Sequence, residues 1–238
     1  MEPEISNLVS FLNDLGADIK AYPQDNTYVI KGVDRLLDSL TCKIIPDRIE
    51  AGTYMIGAVL VGGEITLENI CSNHLESVIN KIKKTGASVN ILSSKDQLTE
   101  SIKIKSADEI LPVSISTSEY PGFPTDLQAQ WMALMIRAKG ESEIVDNIYK
   151  DRFTHISELE RFGGVISLNK NKASIKGINH LKPAPVMSTD IRASASLVLA
   201  SLEARGKSEV SRIYHLDRGY EGIVEKLKSL GADIQRVN

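Results

Sequence analysis

Five charged residues stand at places in this chain where helices are expected to begin: Asp126, Asp190, Arg152, Arg192 and Arg218. The aspartates share one slot, directly ahead of an apolar run, in Pro124-Thr125-Asp126 and Ser188-Thr189-Asp190. Asp47 of Pro46-Asp47-Arg48 stands there too. An aspartate in that slot can cap a helix by accepting hydrogen bonds from its first-turn amides. Capping alone is one reading of such an aspartate, and the pattern leaves a further role open. The arginines are more telling. A guanidinium at a helix amino end opposes the helix dipole, at a cost of about a few tenths of a kcal/mol. Arg152 and Arg218 sit at matching positions, each preceded by an aspartate (Asp151, Asp217), and Arg192 opens the other helix type. Surface Asp–Arg pairing is the plain alternative. If the helices run parallel, three guanidiniums share a rim with positive dipole ends, which suits a phosphate or carboxylate ligand.

Other chemistries find little support. His74, His155 and His215 lack metal-ligand spacing, and neither a metal nor a cofactor is expected. There is no phosphate-cradling Walker loop, dinucleotide glycine fingerprint or nucleophile elbow. A net charge of −3 argues against a nucleic-acid partner. The longest apolar run, residues 54–61, is too short to cross a bilayer, so no membrane partner is expected. Cys42 and Cys71, flanked by apolar residues, are expected to be buried, inert thiols in a reducing, cytoplasmic setting.

The elements that must hold these charges repeat. After each Pro/Ser-x-Asp/Arg opening comes an apolar helix ended by Gly62, Gly140 or Gly206, then a strand, then a second helix ended by Gly86, Gly163 or Gly231. Twelve residues beyond the first glycines lie His74, Arg152 and Arg218. The first copy predicts helix 48–61, strand 64–70, helix 74–85 and strand 88–92. The second predicts helix 126–139, strand 143–148, helix 153–162 and strands 164–169 and 172–176. The third predicts strand 185–187, helix 190–205, strand 209–213, helix 218–230 and strand 232–237. The polar stretches at 93–96 and 116–118 read as connections. With 42% hydrophobic residues, the expected fold is α/β: three β-α-β-α-β-β units around buried helices. Their boundaries fall near 46–110, 111–180 and 181–238. Residues 1–45 read as the end of a further copy in a second domain, since Leu15-Gly16-Ala17-Asp18-Ile19 mirrors Leu230-Gly231-Ala232-Asp233-Ile234. Strands are expected at 26–31 and 40–45, and the chain is expected to be truncated at its amino end.

Phe123-Pro124-Thr125-Asp126-Leu127-Gln128-Ala129-Gln130, Asp151-Arg152-Phe153, residues 188–197 and Arg212-Ile213-Tyr214-His215-Leu216-Asp217-Arg218-Gly219-Tyr220-Glu221 resemble the UDP-N-acetylglucosamine enolpyruvyl transferase family. So does the stretch 46–53. The resemblance runs through essentially the whole chain and covers the carboxyl-terminal part of a member. It implies an inverse α/β fold of two three-repeat domains. It also implies transfer of enolpyruvyl from phosphoenolpyruvate to the 3-hydroxyl of UDP-N-acetylglucosamine, with phosphate release, committing the sugar to peptidoglycan. Asp126 would be the base at the sugar hydroxyl. Ile148 would hold the uridine-sugar through its backbone. Arg152, Arg192 and Arg218 would meet the enolpyruvate's anionic groups, and Asp190 would lie near the reacting carbon. Asp126, Asp190 and Arg218 are the catalytic candidates.

The family's lysine–asparagine pair and general-acid loop would lie upstream of Met1, and neither cysteine matches the catalytic thiol. The chain alone is therefore expected to turn over poorly, with the missing amino-terminal part as a candidate partner. The shikimate-pathway enolpyruvyl transferase ranks second, because Phe-Pro-Thr-Asp-Leu-Gln-Ala-Gln is not what a shikimate phosphate site needs. A non-catalytic remnant that binds a ligand or partner is the remaining reading.

Overall fold

The computed structural model describes residues 1–38, 41–93 and 100–237, so most of the connection expected at 93–96 lies outside the described residues. The chain divides into two compact units, Met1–Asp47 and Arg48–Asn238.

In the first unit, helix α1 (Pro3–Asp14) leads into a hairpin of β1 (Asp18–Tyr22) and β2 (Thr27–Lys31), paired antiparallel. The strand expected at 40–45 does not form over its described part, 41–45. Its backbone is met by a side chain instead: Asn7 donates to the Lys43 carbonyl at 3.5 Å and accepts from the Ile45 amide at 3.3 Å.

The second unit is built on three apolar helices, α2 (Arg48–Val61), α4 (Gln128–Ile136) and α6 (Ile191–Glu203), which pack on one another. Every residue of α4 is buried, as are eleven residues of α2. Small residues allow the close approach: a Cβ on Gly52 would lie 2.4 Å from Leu127, and one on Gly57 2.8 Å from Leu199. Trp131 is wholly buried, and its indole donates to the Val113 carbonyl at 2.9 Å, so its one polar group is satisfied.

Around this centre the repeats unfold unequally. The middle one is complete: β6 (Ile115–Ser116), α4, β7 (Glu141–Val145), α5 (Ile156–Arg161), β8 (Val165–Asn169) and β9 (Lys172–Lys176). Its sheet runs β6-β7-β9-β8, with β6 parallel to β7 and β9 inserted antiparallel beside β7. The first repeat has α2, β3 (Glu64–Ile70), α3 (Glu76–Lys84), β4 (Ser88–Ser93) and β5 (Glu100–Lys105), in the order β3-β5-β4. The third has β10 (Pro185–Met187), α6, β11 (Glu209–Ser211) parallel to β10, then α7 (Tyr214–Asp217) and α8 (Ile223–Ser229).

The departures from expectation have physical causes. The helix expected at 218–230 forms only as α8, because Gly222 immediately ahead of it adopts a left-handed φ of +56° and residues 218–222 turn, while α7 ends before Arg218. The helices expected from 74, 126 and 153 begin later, at Glu76, Gln128 and Ile156, the first two after 3₁₀ turns at Ser72–Leu75 and Thr125–Leu127. The strand expected at 232–237 is absent. Its counterparts β4 and β8 pair only with the returning strands β5 and β9, and the third repeat offers no such neighbour among the described residues. Cys42 and Cys71 are both free and partly exposed rather than buried.

Candidate active site

Asp126 and Asp190 sit in equivalent sequence slots and behave differently. Asp190 is in extended backbone (φ −158°, ψ 177°) ahead of α6, and its Oδ1 accepts from the amides of Arg192 at 2.8 Å and Ala193 at 3.0 Å. It is an N-cap in the full sense. Asp126 lies inside the 3₁₀ turn Thr125–Leu127, where its carboxylate caps nothing. It reaches outward instead. Oδ1 receives Arg152 Nη1 at 2.6 Å, and Oδ2 receives Arg192 Nη2 at 3.0 Å. All three side chains are partly buried, between 21% and 34% exposed, which keeps water from screening the pair fully. Burial alone would raise the Asp126 pKa, but the two guanidiniums outweigh it and hold the carboxyl below its ordinary value.

The arginines divide in the same way. Arg152 does not stand on a helix. It precedes α5 by several residues, and its guanidinium lies over the Tyr149 ring at 5.0 Å as well as against Asp126. It pairs with Asp126 rather than with its neighbour Asp151, so the alternative of plain Asp–Arg neighbour pairing is not what forms at Arg152. Arg218 follows α7 as its C-cap residue, where a cation complements the dipole instead of opposing it. It is exposed and joins no ion pair among the described residues, while Asp217 pairs with Arg236 at 2.5 Å. Contacts thus bring together Asp126, Arg152 and Arg192, with Asp190 fixed at the base of Arg192, and do not draw in Arg218.

Residues to which spacing assigned no role hold this cluster. Tyr220, 2% exposed, places its hydroxyl 2.9 Å from that of Thr53 and accepts from Gln130 Nε2 at 3.2 Å, and its hydroxyl favours the charged Arg192 guanidinium. Gln130 Nε2 also reaches the Asp126 carbonyl at 3.1 Å. The rim therefore rests on a buried polar network rooted in α2 and α4. Asp146, wholly buried after β7, is a second support. It accepts from the Thr117 hydroxyl at 2.8 Å, the Thr125 hydroxyl at 2.7 Å and the amides of Ile148 at 3.0 Å and Tyr149 at 2.8 Å. Ile148 is exposed with its amide held in this way, on the loop that leads to Arg152. A lone aspartate at a strand end, with hydroxyl residues elsewhere in the repeat, was the available signal for Asp146, and it is a weak one.

His155 is buried with neither ring nitrogen hydrogen-bonded, and burial lowers its pKa to about 4. It is a core residue. No group of three or more His, Cys, Asp or Glu residues that could hold a metal ion occurs among the described residues. None of the helices there is long and apolar enough to cross a membrane.

A rim of this kind, two guanidiniums around a carboxylate with a capped helix end beside them, can bind an oxyanion and accept a proton close to it. A family model described as EPSP synthase (3-phosphoshikimate 1-carboxyvinyltransferase) matches residues 1–227. Proteins named UDP-N-acetylglucosamine 1-carboxyvinyltransferase are similar throughout. The one from Campylobacter lari is 49% identical over 236 residues, covering 99% of this chain and 55% of the relative. That of Pelagibacter ubique is 46% identical over 238 residues, covering 100% and 55%. Among solved structures, the enolpyruvyl transferase NikO from Streptomyces tendae superposes with a TM-score of 0.79 at 27% identity, covering 99% of this chain and 55% of that one. EPSP synthase from Acinetobacter baumannii, at 17% identity and a TM-score of 0.74, covers 95% and 54% and shares the fold. The chain spans about half the length of the curated relatives it matches.

Proposed function

The chain belongs to the EPSP synthase family of carboxyvinyl transferases, and from that premise we propose that it forms part of an enzyme that moves enolpyruvyl from phosphoenolpyruvate to the 3-hydroxyl of UDP-N-acetylglucosamine. The observation that carries this reading is the Asp126 carboxylate held between Arg152 and Arg192. Phosphoenolpyruvate is multiply anionic, so its phosphate and carboxylate compete with Asp126 for the two guanidiniums. That exchange would position the enolpyruvyl group and free a carboxylate oxygen to accept the sugar hydroxyl's proton. The hydroxyl oxygen then bonds to C2 while C3 takes up a proton. Loss of phosphate and of a C3 proton restores the double bond in the product. The guanidiniums stabilise charge as the tetrahedral intermediate forms, with Arg218 meeting the substrate from the exposed rim.

In this reading residues 46–238 are one transferase-type domain, residues 1–45 belong to a second, and the Ile148 backbone holds the uridine-sugar. Curated relatives named for the UDP-sugar, at up to 49% identity, favour it over shikimate 3-phosphate as acceptor. The reaction would place the chain in the cytoplasm, in peptidoglycan synthesis and hence in cell shape and division. Its partner would be the remainder of the enzyme, represented by the part of a full-length relative that this chain does not match.

The test is phosphate release from phosphoenolpyruvate, with the chain alone and with the unmatched part of the Campylobacter lari relative added. Release that depends on UDP-N-acetylglucosamine in the mixture, and is lost in Asp126→Ala, is the expected result. Release with shikimate 3-phosphate but not with the UDP-sugar would overturn it.

A further inference from the structure

In the exchange described above, an incoming anion takes the place of Asp126 at Arg192. The guanidinium then needs a second anchor. Without one, a long side chain is released and must be ordered again by the ligand, which costs rotamer entropy.

Tyr220 stands where that anchor is needed. The turn that carries it is pressed onto the start of α6, since a Cβ on Gly219 would lie 2.8 Å from Ile191, the residue before Arg192. The tyrosine belongs to a hydrophobic cluster with Ala195, Val198, Leu216 and Ile223, which fixes the ring. Its hydroxyl meets the buried polar pair Thr53 and Gln130.

The hydrogens in this group can be counted. The Thr53 hydroxyl gives its single hydrogen to the Ile49 carbonyl at 2.9 Å. In the 2.9 Å contact between the two hydroxyls, Tyr220 is therefore the donor and Thr53 the acceptor. The lone pairs of the tyrosine oxygen are left for its other neighbours. One receives Gln130 Nε2 at 3.2 Å. The other serves Arg192, whose charged form the hydroxyl favours. Burial raises the Tyr220 pKa, so the hydroxyl keeps the hydrogen that sets this orientation. Gln130 extends the same support to the carboxylate's own residue, because its Nε2 also donates to the Asp126 carbonyl at 3.1 Å.

We propose that Tyr220 is a positioning residue for anion capture. Its hydroxyl, oriented by Thr53, holds the Arg192 guanidinium at the rim when a ligand's phosphate or carboxylate displaces Asp126, a role that rests on the proposed function. With Asp126 in place the arginine has two anchors and can spare one. With Asp126 removed, the tyrosine hydroxyl is the anchor that remains among the described residues.

The experiment is a double-mutant cycle on the 238-residue chain, read by calorimetric titration with inorganic phosphate. Tyr220→Phe keeps the ring and removes only the oxygen. It is expected to weaken phosphate binding about two-fold beside Asp126 and about ten-fold in Asp126→Ala, the size of a lost bond to a charged group. A tyrosine that merely fills space would change both affinities by the same factor. Equal factors in the two backgrounds, tighter binding in Tyr220→Phe, or no phosphate binding by Asp126→Ala would each overturn the proposal. Thr53→Val keeps the tyrosine whole and removes the acceptor of its hydrogen. In Asp126→Ala it is expected to weaken phosphate binding about three-fold. That variant decides the matter if Tyr220→Phe does not fold, and an unchanged affinity there would overturn the role. None of these readouts uses the acceptor sugar or turnover. A different acceptor would leave the tyrosine's role standing, and equal factors in the cycle would leave the transfer reaction standing.

Discussion

Asp126 and Asp190 start from the same position in successive repeats, and one became an ion-paired carboxylate between two arginines while the other became a helix cap. The difference is one of backbone. Extended φ and ψ at Asp190 aim its carboxylate back at the amides of α6. The 3₁₀ turn at Thr125–Leu127 carries Asp126 past that geometry, and its side chain meets arginines from two other segments. A slot shared by repeats therefore fixes which residue stands at a corner, while the first turn of the helix decides what the residue can do.

The largest expected effect is on turnover. Asp126→Ala in the reconstituted enzyme should lower kcat by a factor on the order of 10²–10⁴, as loss of a positioned base does. An equal loss in Asp190→Asn, where the cap is kept, would collapse the distinction. Next comes His155, whose surroundings include Asp190 and Arg152. It is neutral in the fold with a pKa of about 4 against an ordinary 6.5, so the unfolded chain binds the extra proton. Stability should fall as pH drops from about 6.5 towards 4, by on the order of 3 kcal/mol, and His155→Phe should flatten that part of a denaturation series. The Asp126 pairs act in a lower window. Their stabilisation is present above the ordinary aspartate pKa and is lost only as pH falls through the depressed folded value.

Two smaller effects sharpen the contrast. Asp126→Ala empties the guanidiniums of their internal ligand and should bind inorganic phosphate several-fold more tightly by calorimetry, whereas Asp190→Ala should not. Asp190→Ala should instead cost about 1 kcal/mol of stability in urea, and Asp190→Asn only a few tenths, because asparagine caps nearly as well.

Much of this was legible in the residues. The bounds of α2, β3, β9 and β10 follow from apolar periodicity closed by glycine or proline, since those signals are local. Asp126, Arg152 and Arg192 could be singled out by type and position. Their mutual pairing could not, because it joins residues 26 and 66 positions apart in sequence. Arg218 was expected to start a helix because the amphipathic pattern of 218–230 reads as continuous, whereas residues 218–222 turn and α8 starts only after Gly222. The Gln130–Thr53–Tyr220 network carries no signal in spacing: these polar residues become a unit only once α2, α4 and the segment between α7 and α8 meet.

The buried carboxylate of Asp146 has a consequence for how the two substrates could influence each other. Its two oxygens brace Thr125, next to the proposed base, and the amide of Ile148, on the loop proposed to hold the nucleotide sugar. Both segments are anchored to the same buried group. A ligand that shifts one would load the hydrogen bonds of the other. Occupancy on the sugar side would then be felt at Asp126 as a change in the strength of its ion pairs, with no domain needing to move. Ordered binding, in which the sugar readies the site for the anion, would be thermodynamic linkage through a single side chain.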